Sequence, residues 1–199
     1  MFKKRLKSNI RQDQIIEAAR KLVVKYGSEH VTVGKIAKEV GISEGAIYRH
    51  FKSKGDVLSG LADQIADDLL TGISDHIYTN STSLEFLGTV LKNHLSRIQQ
   101  RKGISFQVIA EIISFGDKKL NKKVSGVINN YVLSLKHLLS EGIKSGEVKE
   151  DIDIEAAALI LFGMIQGLVN IWALSNYDFN LEEKYERLWE VFRTSIIRT

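Results

Sequence analysis

The side chains best suited to grip a charged polymer in this 199-residue chain lie close together in Ser43–Lys54, SEGAIYRHFKSK. Gly45 and Ala46 are nearly bare, so a helix carrying them can approach a phosphate or a base edge closely. Tyr48, Arg49, His50, Lys52 and Lys54 follow and supply donors for phosphate oxygens, and an arginine can also hold guanine O6 and N7 in a bidentate grip. That is duplex-binding chemistry. Catalytic chemistry is not evident: the chain has no HExxH, Walker loop, GxSxG or GxGxxG. His94 and His137 are far apart and lack a ligand partner at i+4, and without cysteine there is no disulfide, thiol redox site or Cys-ligated zinc. No enzyme activity, cofactor or metal is expected.

The elements that position these groups can be read from Val33–Lys54. Val33, Ile36, Ala37 and Val40 recur at helical spacing, Gly41 interrupts them, and Ser43 restarts a short helix whose buried member is Ile47. Helix, glycine turn, helix is a helix-turn-helix. The small Ala37 lets the second helix cross closely, and Gly41 supplies the positive φ of the turn. A bracing helix is predicted from about Asn9 to Tyr26, burying Ile15, Ala18 or Ala19, Leu22 and Tyr26, with Met1–Lys7 as a mobile basic arm before it. Thr32 stands at the N-cap of the second helix. Phe51 is the apolar anchor among the polar groups. Ser53 and Asp56 form a capping box for a fourth helix (inner face Leu58, Leu61, Ile65, Leu69) that carries Lys54 in its first turn and leads into the body.

The pattern G-I-S-x-G-x-I-Y-x-H-F-x-S-K resembles the DNA-binding segment of the tetracycline-repressor (TetR) family of bacterial regulators, the specific match covering roughly Asp13–Leu61. The resemblance implies that Thr32, Ser43, Gly45, Tyr48, His50 and Lys54 meet the DNA backbone or groove. It places Glu44, Ala46 and Arg49 at the variable base-reading positions. Many relatives carry a cation where Glu44 stands; an acid there either accepts from a cytosine N4 amine or helps the helix start. Ala46 can touch a thymine methyl, which leaves Arg49 as the candidate reader of a guanine. The family also implies a ligand pocket in the C-terminal body and an effector that changes the spacing of two DNA-binding heads. SEGAIYRHF resembles nucleoid-occlusion members of the family too. A ligand-independent role in nucleoid or cell-division control, through a protein partner, therefore stands beside a ligand-released repressor of a palindromic operator.

Composition bounds the rest. There is no proline and little strand-type alternation, so the fold expected is all-α: residues 1–54 as a three-helix, helix-turn-helix DNA-binding domain, residues 55–199 as a helical ligand-binding and dimerisation domain. Residues 1–60 hold 13 Lys+Arg against 6 Asp+Glu, a net +7, and residues 61–199 are net −3. A basic head on a mildly acidic body can face DNA with one end only. The basic N-terminus is followed by no apolar signal core, so a cytoplasmic protein is expected.

In the body, Tyr78–Ser83 reads as a linker, with Thr82 and Glu85 as the next capping pair. Phe86, His94, Phe106, Phe115, Tyr131, His137 and Trp172 are types suited to lining a pocket for a small apolar or amphipathic ligand. Ala156–Leu174 is uncharged for 19 residues and contains Gly163-x-x-x-Gly167. Its acidic flanks and its Gln166 and Asn170 argue against a membrane span. Such a helix must be buried all round, and a second copy of the chain can bury it. A homodimer is expected, with Gly163, Gly167, Leu188 and Phe192 in a four-helix interface.

Overall fold

The computed structural model describes residues 2–27, 30–74, 83–100 and 103–198. Among them are nine helices: α1 Phe2–Tyr26, α2 Val33–Val40, α3 Glu44–Tyr48, α4 Lys54–Ser74, α5 Ser83–Gln100, α6 Ile104–Phe115, α7 Lys118–Lys144, α8 Ile154–Leu174 and α9 Leu181–Ile196. The predicted all-α fold is what forms. With no proline to interrupt them, helices run until a glycine or a polar cap stops them. Gly41 (φ 76°) closes α2: its N–H donates to Lys38 O at 3.2 Å, and the Ile42 N–H donates to Ala37 O at 2.9 Å. The linker over Tyr78–Ser83 and the Thr82 cap fall on residues outside those described, apart from Ser83, which opens α5.

The chain divides into two compact units: Met1–Asp67 with Gln107–Ser125, and Asp68–Phe106 with Gly126–Thr199. Lys54, where the first predicted domain ended, opens α4 and lies well inside the first unit. The core of that unit is Ile15, Ala19, Ile36, Ile47, Leu58 and Leu61, each at most 1% exposed. A methyl at Gly60 would stand 2.8 Å from Ile16 Cδ1 and 3.6 Å from Phe51 Cε1, so α4 comes close to α1 there with the half-buried Phe51 beside it.

Two expectations for this unit are corrected. The helix begins at Phe2 rather than near Asn9, so Phe2–Lys7 forms its first turns instead of a mobile arm. Lys, Arg and Leu are good helix formers, and no glycine or proline intervenes to stop the helix. Tyr26 is 47% exposed rather than part of the buried stripe; Lys25 Nζ lies 5.0 Å and Lys35 Nζ 5.8 Å from the centre of its ring.

In the second unit α9 packs against both α5 and α8. Gly88 of α5 makes room for Trp189, whose Cε2 would be 2.8 Å from a methyl added there, and the Tyr185 hydroxyl donates to Gly88 O at 3.0 Å. The Leu181 N–H, at the start of α9, donates to Gln99 Oε1 at 2.8 Å. Helix α8 is long and apolar enough to cross a membrane by length and composition, yet only 39% of its apolar window is buried. Ala158, Leu161, Ile165 and Val169 face the core, whereas Leu159, Ile160, Ile171 and Leu174 are 51–84% exposed. The helix apolar on every side is thus covered on one side by its own chain.

Candidate nucleic-acid interface

The α2–α3 pair is fixed at each start by a hydroxyl cap. Thr32 has extended backbone (φ −125°, ψ 158°) and its Oγ1 accepts from the Lys35 N–H at 3.2 Å. Ser43 repeats the device for α3, its Oγ accepting from the Ala46 N–H at 3.3 Å. The Thr32 cap satisfies a helix N–H of the first turn, and the Ala46 N–H is shared between Ser43 Oγ and the Ser43 carbonyl oxygen at 2.9 Å. Ile47 (0% exposed) drives α3 into the core of the unit, where Ile36 and Ala37 of α2 are also buried. Its carbonyl then accepts both the His50 N–H (2.8 Å) and the Phe51 N–H (3.0 Å), which ends the helix and turns the chain toward α4.

With Ile47 inward, its neighbours face outward. Glu44, Gly45, Tyr48 (53%) and Arg49 are exposed, while Ala46, His50 and Lys54 are half-buried. His50 Nδ1 lies 3.5 Å from Ser8 Oγ of α1. A methyl at Gly45 would meet nothing nearer than Ser43 Oγ at 4.0 Å, so packing within the chain does not require glycine there. The Glu44 carboxylate folds back over α2: a methyl at Gly34 would be 2.6 Å from its Oε1. Glu44 therefore stands beside the first turn of α2 as well as in the first turn of α3, where helix dipoles favour an acid. The first turn of α4 is closed by the predicted capping box in a shifted form: the Asp56 N–H donates to Ser53 Oγ (3.1 Å), while Asp56 Oδ2 accepts from the Lys52 N–H (2.9 Å) rather than from that of Ser53.

The body candidates are only partly brought together. His94 Nδ1 and the Tyr131 hydroxyl are 3.1 Å apart, with the rings edge to face at 5.5 Å, and Phe162 lies edge-on to Tyr131 at 6.1 Å. Burial, reinforced by the nearby Arg97 charge, lowers the His94 pKa to about 4, and burial alone pushes the Tyr131 hydroxyl well above its ordinary value. Phe106 and Trp172 are buried, with Trp172 edge-on to Tyr177 at 4.8 Å; Phe86 is half-buried. Trp172 Nε1 and Gln166 Oε1 are buried without a hydrogen-bond partner among the described residues. His137 is exposed on α7 and does not join this group, because it falls off the stripe that carries Tyr131, Leu135 and Leu139 inward. The side chain of Phe115 lies outside those described.

Of the interface candidates, Gly163 is exposed, Gly167 half-buried and Leu188 39% exposed, and a methyl on either glycine would touch nothing within 4 Å. Phe192 is 6% exposed and tilted against Trp189 at 5.9 Å, so most of it fills its own chain's core, and it also contributes to an apolar groove on α8 and α9. Ile160 and Val191, which the sequence reading did not single out, are 58% and 73% exposed. With Leu188 and Met164 they line that groove of ≈ 500 Å³. Among the described residues no three His, Cys, Asp or Glu groups converge as metal ligands.

The profile of bacterial regulatory proteins of the tetR family matches residues 15–61, and that of the YsiA-like protein C-terminal region matches residues 62–194. The chain is 30% identical over 168 residues, 84% of its length and 86% of the relative's, to the fatty acid metabolism regulator protein of Bacillus subtilis (strain 168). It is 25% identical over 191 residues, 96% of its length and 97% of the relative's, to the nucleoid occlusion factor SlmA of Photobacterium profundum. Among solved structures, the transcriptional regulator FadR from Bacillus subtilis in complex with stearoyl-CoA superposes with a TM-score of 0.82 at 28% identity, covering 90% of this chain and 96% of that one.

Proposed function

This chain belongs to the tetR family of bacterial regulatory proteins, and from that premise we propose that it is a cytoplasmic homodimeric repressor released from a palindromic operator by a long-chain acyl thioester. One observation carries the DNA-binding part: Ile47 is fully buried while Tyr48 and Arg49 beside it are exposed, which presents the outer face of α3 to a groove. In this reading Thr32, Ser43, Gly45, Tyr48, His50 and Lys54 meet phosphates or the groove wall, Arg49 reads a guanine, and Ala46 touches a thymine methyl. Glu44, folded over Gly34, serves the helix start. Two heads on one dimer set half-sites a helical turn or a multiple apart.

The effector class comes from the relatives, one a fatty acid metabolism regulator and one bound to stearoyl-CoA. The body supports it with a buried apolar interior that holds an unpartnered Trp172 Nε1 and Gln166 Oε1, groups that a ligand's polar atoms can satisfy. Release needs an effector that binds the non-DNA-binding conformation more tightly. Helix α4 gives its effect a covalent route, with residues to Asp67 in the unit of α2 and α3 and the remainder in the other.

The test is to enrich an operator from random duplexes and titrate the complex with stearoyl-CoA, following fluorescence anisotropy. Release at micromolar ligand supports the repressor. The similarity to nucleoid occlusion factors over almost the whole chain favours a second reading, a ligand-independent DNA-binding protein that acts through a protein partner. Undiminished binding with stearoyl-CoA in excess is what that reading predicts.

A further inference from the structure

The compact unit that carries α2 and α3 also takes in Gln107–Ser125, and with it the first turns of α7. Those turns read KKLNKK, with Lys118, Lys119, Lys122 and Lys123 and no acid in the first turn. Lys118 and Lys119 in the first turn oppose the helix dipole, and Lys119 and Lys122, three residues apart, repel each other. Asp117 offsets part of this as the cap, its Oδ1 accepting from the Leu120 N–H at 2.9 Å. The Lys119 and Lys122 charges are left without such an offset, which a binding partner can explain.

Lys123 has a structural role. Its Nζ donates to Ser59 O (3.0 Å), Ser59 Oγ (2.8 Å) and Asp63 Oδ2 (2.6 Å), which uses all three ammonium protons and pins α7 to α4. Lys119 and Lys122 lie on the same side of the helix and are exposed, with no ion pair among the described residues. They line a cleft of ≈ 460 Å³ whose other wall is the start of α4, at Ser53, Gly55 and Ser59. The two acids of the cleft each cap a helix start and keep their charge, Asp56 accepting the Lys52 N–H and Asp117 the Leu120 N–H, and neither is ion-paired with Lys119 or Lys122 among the described residues.

We propose that Lys119 and Lys122 form a second row of phosphate contacts for duplex DNA, continuing the interface from the first turn of α4 onto α7. The proposal rests on the DNA-binding reading above. A duplex suits the cleft better than a small anion does, because its sheltered cation, Lys123, is saturated and the two available ones are exposed and side by side. With them the unit holds 17 Lys+Arg against 10 Asp+Glu, whereas the other unit holds 11 against 14.

The test compares wild type, Lys54→Ala and the double variant Lys119→Gln/Lys122→Gln on one enriched duplex across a salt series. Each lost phosphate contact removes about 0.9 from the slope of log affinity against log salt, so the double variant should lose about 2 per half-site with base preference unchanged. Its melting temperature should equal or exceed wild type, since cations leave a helix N-terminus. If Lys54→Ala flattens the slope and the double variant does not, the α7 row is refuted while the DNA reading stands. If the double variant keeps its slope but no longer binds inorganic pyrophosphate in calorimetry, the cleft is a small-anion site and the proposal fails. Failure of wild type to bind any duplex would overturn the DNA reading and this row with it.

Discussion

The hydroxyl of Tyr131 stands 3.1 Å from Nδ1 of His94, and both side chains are buried. A buried imidazole that is held neutral ties folding to pH. The folded pKa is about 4 against 6.5 for a free histidine, so as pH falls the unfolded chain takes up the proton first. Stability is then complete above pH 6.5 and declines toward about 4, by up to about 3 kcal/mol, because a pKa difference of one is worth about 1.36 kcal/mol. Denaturant unfolding at a series of pH values checks this. His94→Gln keeps a partner for Tyr131 without titrating, so the pH dependence of wild type should exceed that of the variant across this window; parallel curves would contradict it.

Gly45→Ala separates folding from binding. Within the chain the added methyl meets only Ser43 Oγ at 4.0 Å. Replacing glycine by alanine inside a helix is worth roughly 0.5–1 kcal/mol, so the variant should melt at or above wild type. The same methyl stands where α3 is proposed to approach DNA, and affinity should fall at least several-fold. A variant that is both more stable and fully active would mean that this helix face does not touch the duplex.

The apolar groove on α8 and α9 makes the proposed dimer testable through Ile160, which is 58% exposed in a single chain. Ile160→Glu would enter a symmetric interface twice. Burying two unpaired carboxylates should cost about 4 kcal/mol or more, a weakening of roughly a thousand-fold in dimer affinity. Light scattering on a sizing column should show a folded monomer, with helical circular dichroism retained. A dimer that survives the substitution would move the interface off this groove.

How far the sequence could be read follows from how local each determinant is. The helix-turn-helix was readable because its signals lie within about twenty residues: the spacing of Ile36, Ala37 and Ile47, the hydroxyls at Thr32 and Ser43, and the glycine at Gly41. The capping box at Ser53 was readable for the same reason, though the reach of Asp56 to Lys52 was not. Tyr26 was misread because helical spacing alone places it on the inner stripe, while the fold leaves the end of α1 open. His137 carried a signal that was passed over: it lies two residues from Leu135, off the buried stripe. Phe192 is spaced to share the inner face of Leu181 and Tyr185, which buries most of it, and it still lines the groove on α8 and α9. Nothing local announced that Gln107–Ser125 joins the unit of the DNA-reading helices, because that placement depends on tertiary bonds such as those of Lys123 to Ser59 and Asp63.

The most direct test of the account is the base preference of Arg49→Ala, with Lys54→Ala as the control, measured on an enriched operator and on duplexes carrying every single base-pair change. Arg49→Ala should cost about 1–3 kcal/mol on the operator and erase discrimination at one position of each half-site. Lys54→Ala should weaken all duplexes alike and lower the salt slope by about 1. Uniform loss across sequences for Arg49→Ala, or a wild-type protein that stays monomeric and ignores every duplex at low ionic strength, would contradict a helix α3 that reads DNA.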